Sequence, residues 1–590
     1  MDNPGYDQLH CNPTDTLLAS RQARFDTLLC EGRRPVLTLD GRWTGGPDVY
    51  DNGIRARWYE EAGGEFDRRA PKDYDFEAMD PVTVPSCWNN LAREYSLYEG
   101  GFWYFRTFEA PTSEPGERLV LRFGAANYAA LVFVNGVHVA SHEGGFTPFC
   151  ADVTDVLRPA ANRLHVWVSN ARRRDAVPSD YTDWFNYGGL YRSVELFRVP
   201  EVRVDDWALS VELSESGKRI RLRLALNRPV EADVRLRFEG LLEAEARTGP
   251  DGRLDASWEA DPELWSPESP RLYPVEVSCG EDRLEDEIGF RKVEIRGTKV
   301  FLNGREIFLR GVAVHEEGPD GSRTLSEGDI ALMLDHVRRM NGNFLRLAHY
   351  PHSEAVAKMA DRAGVMLWEE IPVYWALDFS NPATLANAVN QLEELMKRDR
   401  NRASVVVWAV GNENPDTDER FAFMRSLIEA VRRRDPERLV AAACLVDLVS
   451  FEVTDRLAPH LDIIGINEYF GWYYYGYENL SRLLGKEYDR PVVVSEFGAE
   501  AVPGLHGDSS EIWTEEYQAE VYRNQLERIL ASRAAGVVPW ILYDFRTPRR
   551  LNPRQRMNNL KGLVDRSRTH MKEAFHLVSG YYETLKENGR

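Results

Sequence analysis

Cysteine is scarce in this 590-residue chain: six thiols (Cys11, Cys30, Cys87, Cys150, Cys279 and Cys444) lie far apart, with no CxxC pair among them. That scatter argues against a disulfide frame or a thiolate zinc site and reads as reduced thiols in a cytoplasmic protein. No HExxH or comparably close ligand spacing occurs, so no metal is expected. No apolar run approaches the roughly 20 residues of a membrane span. The opening stretch, MDNPGYDQLH, is polar and acidic, unlike a secretory signal, which again suits the cytoplasm. Positive charge is in deficit: 73 Lys and Arg face 94 Asp and Glu, for a net charge of −21. Nucleic acid is therefore not expected as the main partner, because phosphate binding needs a basic surface. Aromatic residues are not scarce. Fifteen Trp and 25 Tyr suit either sugar stacking or ordinary core filling.

The length predicts several domains. Residues 1–34 read as a helical N-terminal extension. From 35 to 199 the pattern is β, in runs such as GFWYFRTFEA, RLVLRFGAA and NRLHVWVSN, with a strong Asn-Gly hairpin signal in VFVNGVHVA. No long helix separates these runs, so an antiparallel β-sandwich of jelly-roll type is expected. Residues 200–295 alternate in RIRLRLALN, ADVRLRFEG and LYPVEVSCG, as in a small immunoglobulin-like β-sandwich crossed by the Pro-rich loop LWSPESPRLYP. From 296 to 590 strand and helix patterns alternate. Eight strand candidates stand out: REIFLRGVAVH, NFLRLAHY, GVMLWEEI, SVVVWAVGNE, RLVAAACLV, LDIIGINEY, PVVVSEFGA and GVVPWILYDF. Eight strand–helix repeats predict a (β/α)8 TIM barrel. A doubly wound sheet fits less well, since no Gly-rich phosphate loop follows the first strand.

In such a barrel function sits at the C-terminal ends of the strands. Those ends carry His315, His349, Glu369 with Glu370, Glu413, Glu468 with Tyr469, Glu496 and Trp540. Glu413 and Glu496 end two Val-rich buried strands, where a carboxylate costs folding energy unless it is paired or used. Two carboxyls across one barrel mouth suit retaining glycoside hydrolysis, which needs them about 5–5.5 Å apart. One must donate a proton and the other attack, and their mutual repulsion helps divide the roles. A structural ion-pair role is the commoner fate of either glutamate taken alone.

The chain resembles glycoside hydrolase family 2, and within it the β-glucuronidases, from about residue 35 to its end. NEN at 412–414 matches the family's Asn-Glu acid/base signature, and SEFG at 495–498 its nucleophile segment. The resemblance implies Glu413 as acid/base, Glu496 as nucleophile, Asn412 on the sugar 2-OH and Tyr469 beside the nucleophile. Arg346 and His349, in RLAHYP, also match. A fixed cation at Arg346 would lower the pKa of Glu496. NNLKG at 558–562 resembles the Asn-x-Lys pattern that grips a uronate carboxylate, implying those roles for Asn559 and Lys561. The stretch from Arg546 to Lys561 holds five Arg, one Lys and no acidic residue. It reads as a solvated loop or, with the motif inside it, as an anion trap. TDWFNYGGLYRSV at 182–194 resembles the segment by which the first domain lends an Asp, here Asp183, to the sugar pocket; otherwise Asp183 is a turn residue. Trp540 matches a stacking indole, or else fills the core. Tyr473 matches a tyrosine near the uronate carboxylate, in a YYYGY run whose register is ambiguous.

Two departures bear on the substrate. Glu468 stands where the pattern carries a basic residue, which counts against glucuronate. After WEEIPVYW the chain runs directly through DFSNP towards a helix, so the mouth is expected to be open to bulky aglycones. His315 and Glu370 either line the pocket or brace the barrel top. The expected function is a cytoplasmic retaining exo-β-glycosidase acting on β-D-glucuronides, with no cofactor and, by analogy, a homo-oligomeric state. The rivals are a β-galacturonidase, a neutral-sugar enzyme of the β-galactosidase or β-mannosidase kind, and a non-catalytic carbohydrate-binding protein.

Overall fold

The structure is a computed structural model and describes residues 13–22, 33–60, 76–215 and 217–590. Of the N-terminal extension, a short helix, Pro13–Ala19, falls among the described residues, while 1–12 and 23–32 lie outside them. Where the described chain resumes, Arg34 is buried and donates Nε and Nη2 to the Asp282 carboxylate at 2.9 and 2.7 Å.

The first sandwich packs a six-stranded antiparallel sheet on a four-stranded one. Their facing sides enclose Trp43, Trp88, Phe102, Leu121, Val132, Val166 and Leu196. The Asn-Gly hairpin forms as expected: Asn135 and Gly136 have φ of 51° and 81°, the two positive values that a type I′ turn demands. The second sandwich, of three and four antiparallel strands, encloses Trp207, Ile220, Leu236, Val277 and Phe290. Its Pro-rich loop docks on the barrel through Trp265, whose indole N–H donates to the Asp361 carbonyl at 2.8 Å.

All eight sequence-predicted strands pair into a closed parallel barrel: Leu309–Val314, Phe344–Leu347, Met366–Glu370, Val405–Asn412, Leu439–Cys444, Ile463–Asn467, Val492–Glu496 and Gly536–Val537. They are numbered 1 to 8 below. Each strand is buried on both sides. Side chains such as Phe344, Val407, Ile463 and Val493 belong to the interior cluster, and their neighbours such as Leu345, Val405, Ile464 and Val494 pack with the helices. A three-stranded ribbon, Val293–Arg296, Lys299–Leu302 and Arg305–Ile307, precedes strand 1 and adds Val293, Val300 and Leu302 to the same interior cluster. The helices start cleanly: Ser326 and Asp329 form a reciprocal capping box, and Ser353, Asn381, Thr417 and Thr514 cap four others. Among the described residues no helix is long and apolar enough to cross a membrane.

Candidate active site

Local irregularities, not plain alternation, aim the key carboxylates. Strands 6 and 7 pair Ile466 with Val494 and then Asn467 with Glu496, so strand 7 carries one extra residue just before Glu496. Unbroken alternation from the inward Val493 would send Glu496 towards the helices; the bulge turns it into the mouth. Strand 4 likewise gains a residue between Ala409 and Asn412. Glu413 follows with φ of 52°, a left-handed conformation that costs a non-glycine residue about 1–3 kcal/mol. Its backbone N–H is held by the Ala443 carbonyl at 2.9 Å.

Glu413 and Glu496 line one cleft of about 280 Å³ together with Asp183, His315, His349, Tyr374, Trp375, Tyr469, Tyr473, Trp540, Arg550, Asn559 and Lys561. Glu496 is nearly enclosed. Its Oε1 accepts from Arg346 Nη1 at 2.8 Å and its Oε2 from the Tyr469 hydroxyl at 2.6 Å. Burial pushes its carboxyl up to about 8; Arg346 and Tyr469 act downward, and Glu413 adds to the rise. Arg346 thus acts in the expected direction but is outweighed by desolvation. Glu413 accepts from Trp375 Nε1 at 2.8 Å on Oε2 and from Asn467 Nδ2 at 2.7 Å on Oε1. A hydrogen-bonded path joins the two carboxylates: Asn467 also donates to Asn412 Oδ1 at 3.1 Å, and Arg346 Nη2 donates to the same oxygen at 2.7 Å.

Arg346 backs the cleft and does not line it. Arg346 is fully buried, and its remaining donors go to Glu370 at 3.1 Å and the Ser495 carbonyl at 3.1 Å. Its guanidinium braces Glu496, Glu370 and Asn412 together. Glu370 shares that brace. Arg346, foremost among its neighbours, offsets burial and draws its carboxyl down to about 2, and Trp368 Nε1 donates to it at 2.8 Å. Its Oε1 lies 2.6 Å from His349 Nδ1, which places the imidazole proton there and turns Nε2 towards Glu496, 3.8 Å away. Burial holds His349 and, more strongly, His315 below the usual histidine range. Trp540 stacks on His349 at 4.9 Å and meets His315 edge-on at 5.3 Å, forming an aromatic wall. Glu369, one residue from Glu370, points the other way into the helix layer, where burial and Asp399 push its carboxyl well up.

The opposite side of the cleft is cationic. Lys561 is 1% exposed; its Nζ donates to the Tyr473 hydroxyl at 2.8 Å and to Glu500 Oε1 at 3.2 Å. Within the tyrosine run it is Tyr473 that meets Lys561, while Tyr475 is 96% exposed. Asn559 Oδ1 accepts the Lys561 backbone N–H at 3.1 Å, so its amide NH2 remains available to a ligand. Asp183 reaches the cleft from the first sandwich, held by Thr547 Oγ1 at 2.9 Å and Arg550 Nη2 at 2.5 Å. Arg550, Trp375, Asn467 and Glu500 were not singled out from sequence. Only Arg550 carried a signal there, as a member of the basic stretch.

Glu468 does not line the cleft. It is 3% exposed, and its Oε2 has no hydrogen-bond partner among the described residues. Burial and then Glu413 push its carboxyl up to about 8, so below that pH it is mostly neutral. The electrostatic objection to a uronate is therefore lifted. His506, Glu516 and Glu573 cluster closely enough to offer metal ligands, but none of them lines the cleft.

Three family models match in series: the sugar-binding domain of glycosyl hydrolases family 2 over residues 36–200, a further family 2 domain over 202–291, and its TIM barrel domain over 293–586. A β-glucuronidase of Paenibacillus borealis is 29% identical, with 91% of this chain and 95% of that protein covered. The human β-glucuronidase is 29% identical over 94% of this chain and 92% of its own. Among solved structures, a Ruminococcus gnavus β-glucuronidase in complex with uronic isofagomine superposes with a TM-score of 0.84. It is 27% identical, with 95% of this chain and 100% of that one covered. A β-galacturonidase of Eisenbergiella tayi bound to galacturonate superposes at a TM-score of 0.82 over 95% of this chain and 99% of that one; at 24% identity the likeness is one of fold.

Proposed function

The chain belongs to glycoside hydrolase family 2, and from that premise we propose that it removes β-D-glucuronic acid from glycosides with retention of configuration. The observation that carries this reading is one cleft lined by two carboxyls, Glu413 and Glu496, and by a buried Lys561 beside Asn559. In the first step Glu496 attacks the anomeric carbon in its ionised form, which Arg346 and Tyr469 favour against burial, the glycosidic C–O bond breaks, and Glu413 passes its proton to the departing oxygen. In the second step Glu413 takes a proton from water, which attacks the glycosyl-enzyme ester and releases Glu496. The pair supplies both acid and nucleophile, so no step calls for a metal or organic cofactor. Tyr469 and Arg346 hold the attacking carboxylate in one orientation. Asn412 has its oxygen occupied by two donors, which leaves its amide NH2 for a sugar hydroxyl.

Lys561, Asn559 and the Tyr473 hydroxyl bind the uronate carboxylate. Asp183 and Arg550 border the ring between that end and the mouth, and Trp540 with His349 forms the wall on which the ring rests. Domain limits at 35, 200 and 296, a homo-oligomeric state and a cytoplasmic location belong to the same proposal. Rates on p-nitrophenyl β-glucuronide, β-galacturonide and β-galactoside test the reading. Fastest turnover of the glucuronide is expected. A preference for the galacturonide or galactoside would reassign the sugar, and turnover undiminished in Glu496→Gln would reassign the site.

A further inference from the structure

Resting on the β-glucuronidase reading above, we infer that Trp375, Tyr181 and Arg549 form an aglycone subsite that favours a leaving group in which a ring with a face to stack on an aromatic carries an anionic substituent. The acid that protonates the leaving oxygen must border the aglycone. Trp375 is the neighbour of Glu413 on the side facing the first sandwich, with its Nε1–H donating to Glu413 Oε2 at 2.8 Å. It is rigidly set. Its backbone N–H donates to the Asn412 carbonyl at 2.9 Å, its own carbonyl accepts Asn414 Nδ2 at 2.8 Å, and its indole stacks on Tyr374 at 4.4 Å. Its φ of 51° is a left-handed conformation that a non-glycine residue rarely adopts.

Beyond Trp375 lies Tyr181 of the first sandwich, ring to ring at 5.0 Å and 52% exposed. The Arg549 guanidinium, from the basic stretch after strand 8, sits 4.2 Å from the Tyr181 ring and 4.9 Å from Trp375. Its Nη2 also donates to the Tyr181 hydroxyl at 2.8 Å. Three distant segments thus converge at the acid's side of the mouth. Aromatic faces of this kind accept the C–H face of a sugar or an aryl ring. Arg550 is tied to Asp183, whereas the exposed Arg549 has no carboxylate partner among the described residues. In a chain of net charge −21 that leaves a positive charge directed at whatever leaves the cleft. The segment that follows Trp375 is short, since Asn381 already caps the next helix.

The test compares kcat/KM for aryl β-glucuronides bearing a sulfonate or a sulfonamide, in wild type and Arg549→Gln. A second arm uses glucuronyl disaccharides whose reducing sugar is sulfated or neutral. Comparing the anionic-to-neutral ratio between enzymes cancels differences in leaving-group acidity. Arg549→Gln is expected to lower that ratio about three- to tenfold at low salt, and less at high salt. Tyr181→Ala is expected to lower kcat/KM for both members of a pair. A loss in either arm supports the shared chemistry and identifies aryl or sugar as the ring. An unchanged ratio in both arms, with wild type active, would overturn this inference alone. A wild type inactive on every β-glucuronide would overturn the functional reading and this inference with it.

Discussion

Replacing Lys561 tests the uronate end of the site, but the structure dictates how it must be done. The ammonium is 1% exposed and serves two partners, the Tyr473 hydroxyl and Glu500. Lys561→Met alone would leave Glu500 buried without its cation, and breaking a buried pair from one side costs about 3–5 kcal/mol of stability. Gln555 Nε2 at 2.7 Å and the Leu560 N–H at 3.1 Å would still hold Glu500, yet a loss of activity could then be a loss of fold. The informative variant is Lys561→Met with Glu500→Gln, which removes both charges together. A charge-assisted contact to a ligand carboxylate is worth about 2–5 kcal/mol. That is a factor of about 30 to 4,000. The assay is kcat/KM for p-nitrophenyl β-D-glucuronide against p-nitrophenyl β-D-glucoside, which lacks the carboxylate. The ratio should collapse by that factor while the melting temperature stays near wild type. If both substrates lose activity equally in a folded double variant, Lys561 is a structural residue and the carboxylate is bound elsewhere.

Other outcomes follow from the same geometry. Tyr469→Phe removes the hydroxyl that donates to Glu496 at 2.6 Å, and kcat should fall about 10- to 100-fold with the fold intact. Glu496→Gln should reduce turnover by on the order of 10⁴-fold or more, as loss of a covalent nucleophile does. Glu468→Gln should change the dependence of stability on pH. Its carboxyl is raised to about 8 in the folded state, so its folding advantage is complete below the unfolded value near 4.5 and is lost as pH climbs through 8. The variant should match wild type at pH 4 and exceed it at pH 9, by up to about 5 kcal/mol, in melting curves taken across that range.

The barrel was legible because each strand is buried on both faces and reads as a short apolar run between helical patterns; all eight candidates became strands. Glu413 and Glu496 were legible for a related reason: a carboxylate at the end of a buried run is costly and so conspicuous. What aims them was not. The extra residues before Asn412 and Glu496 are register events between strands, and no local pattern announces a bulge. Trp375 sits 38 residues from the Glu413 it bonds, and Asp183 lies 367 residues from Arg550. Such pairs come from chain topology and not from spacing. Glu468 shows the limit of reading charge from sequence, because burial beside Glu413 keeps neutral a residue that counts as an anion on paper. Arg346 shows a second limit: the residue was found, but only its enclosure reveals that it ties Glu370 to Glu496.

Treatment with 2-deoxy-2-fluoro-β-D-glucuronyl fluoride, followed by peptide mapping of the inactivated protein by mass spectrometry, goes to the heart of the account. The C2 fluorine slows both attack and release, the fluoride leaving group restores attack alone, and the covalent sugar should accumulate. One glycosyl adduct on the peptide containing Glu496, absent in Glu496→Gln, is the predicted result. A label on Glu413 or any other residue, or continued turnover with no covalent adduct, would contradict it.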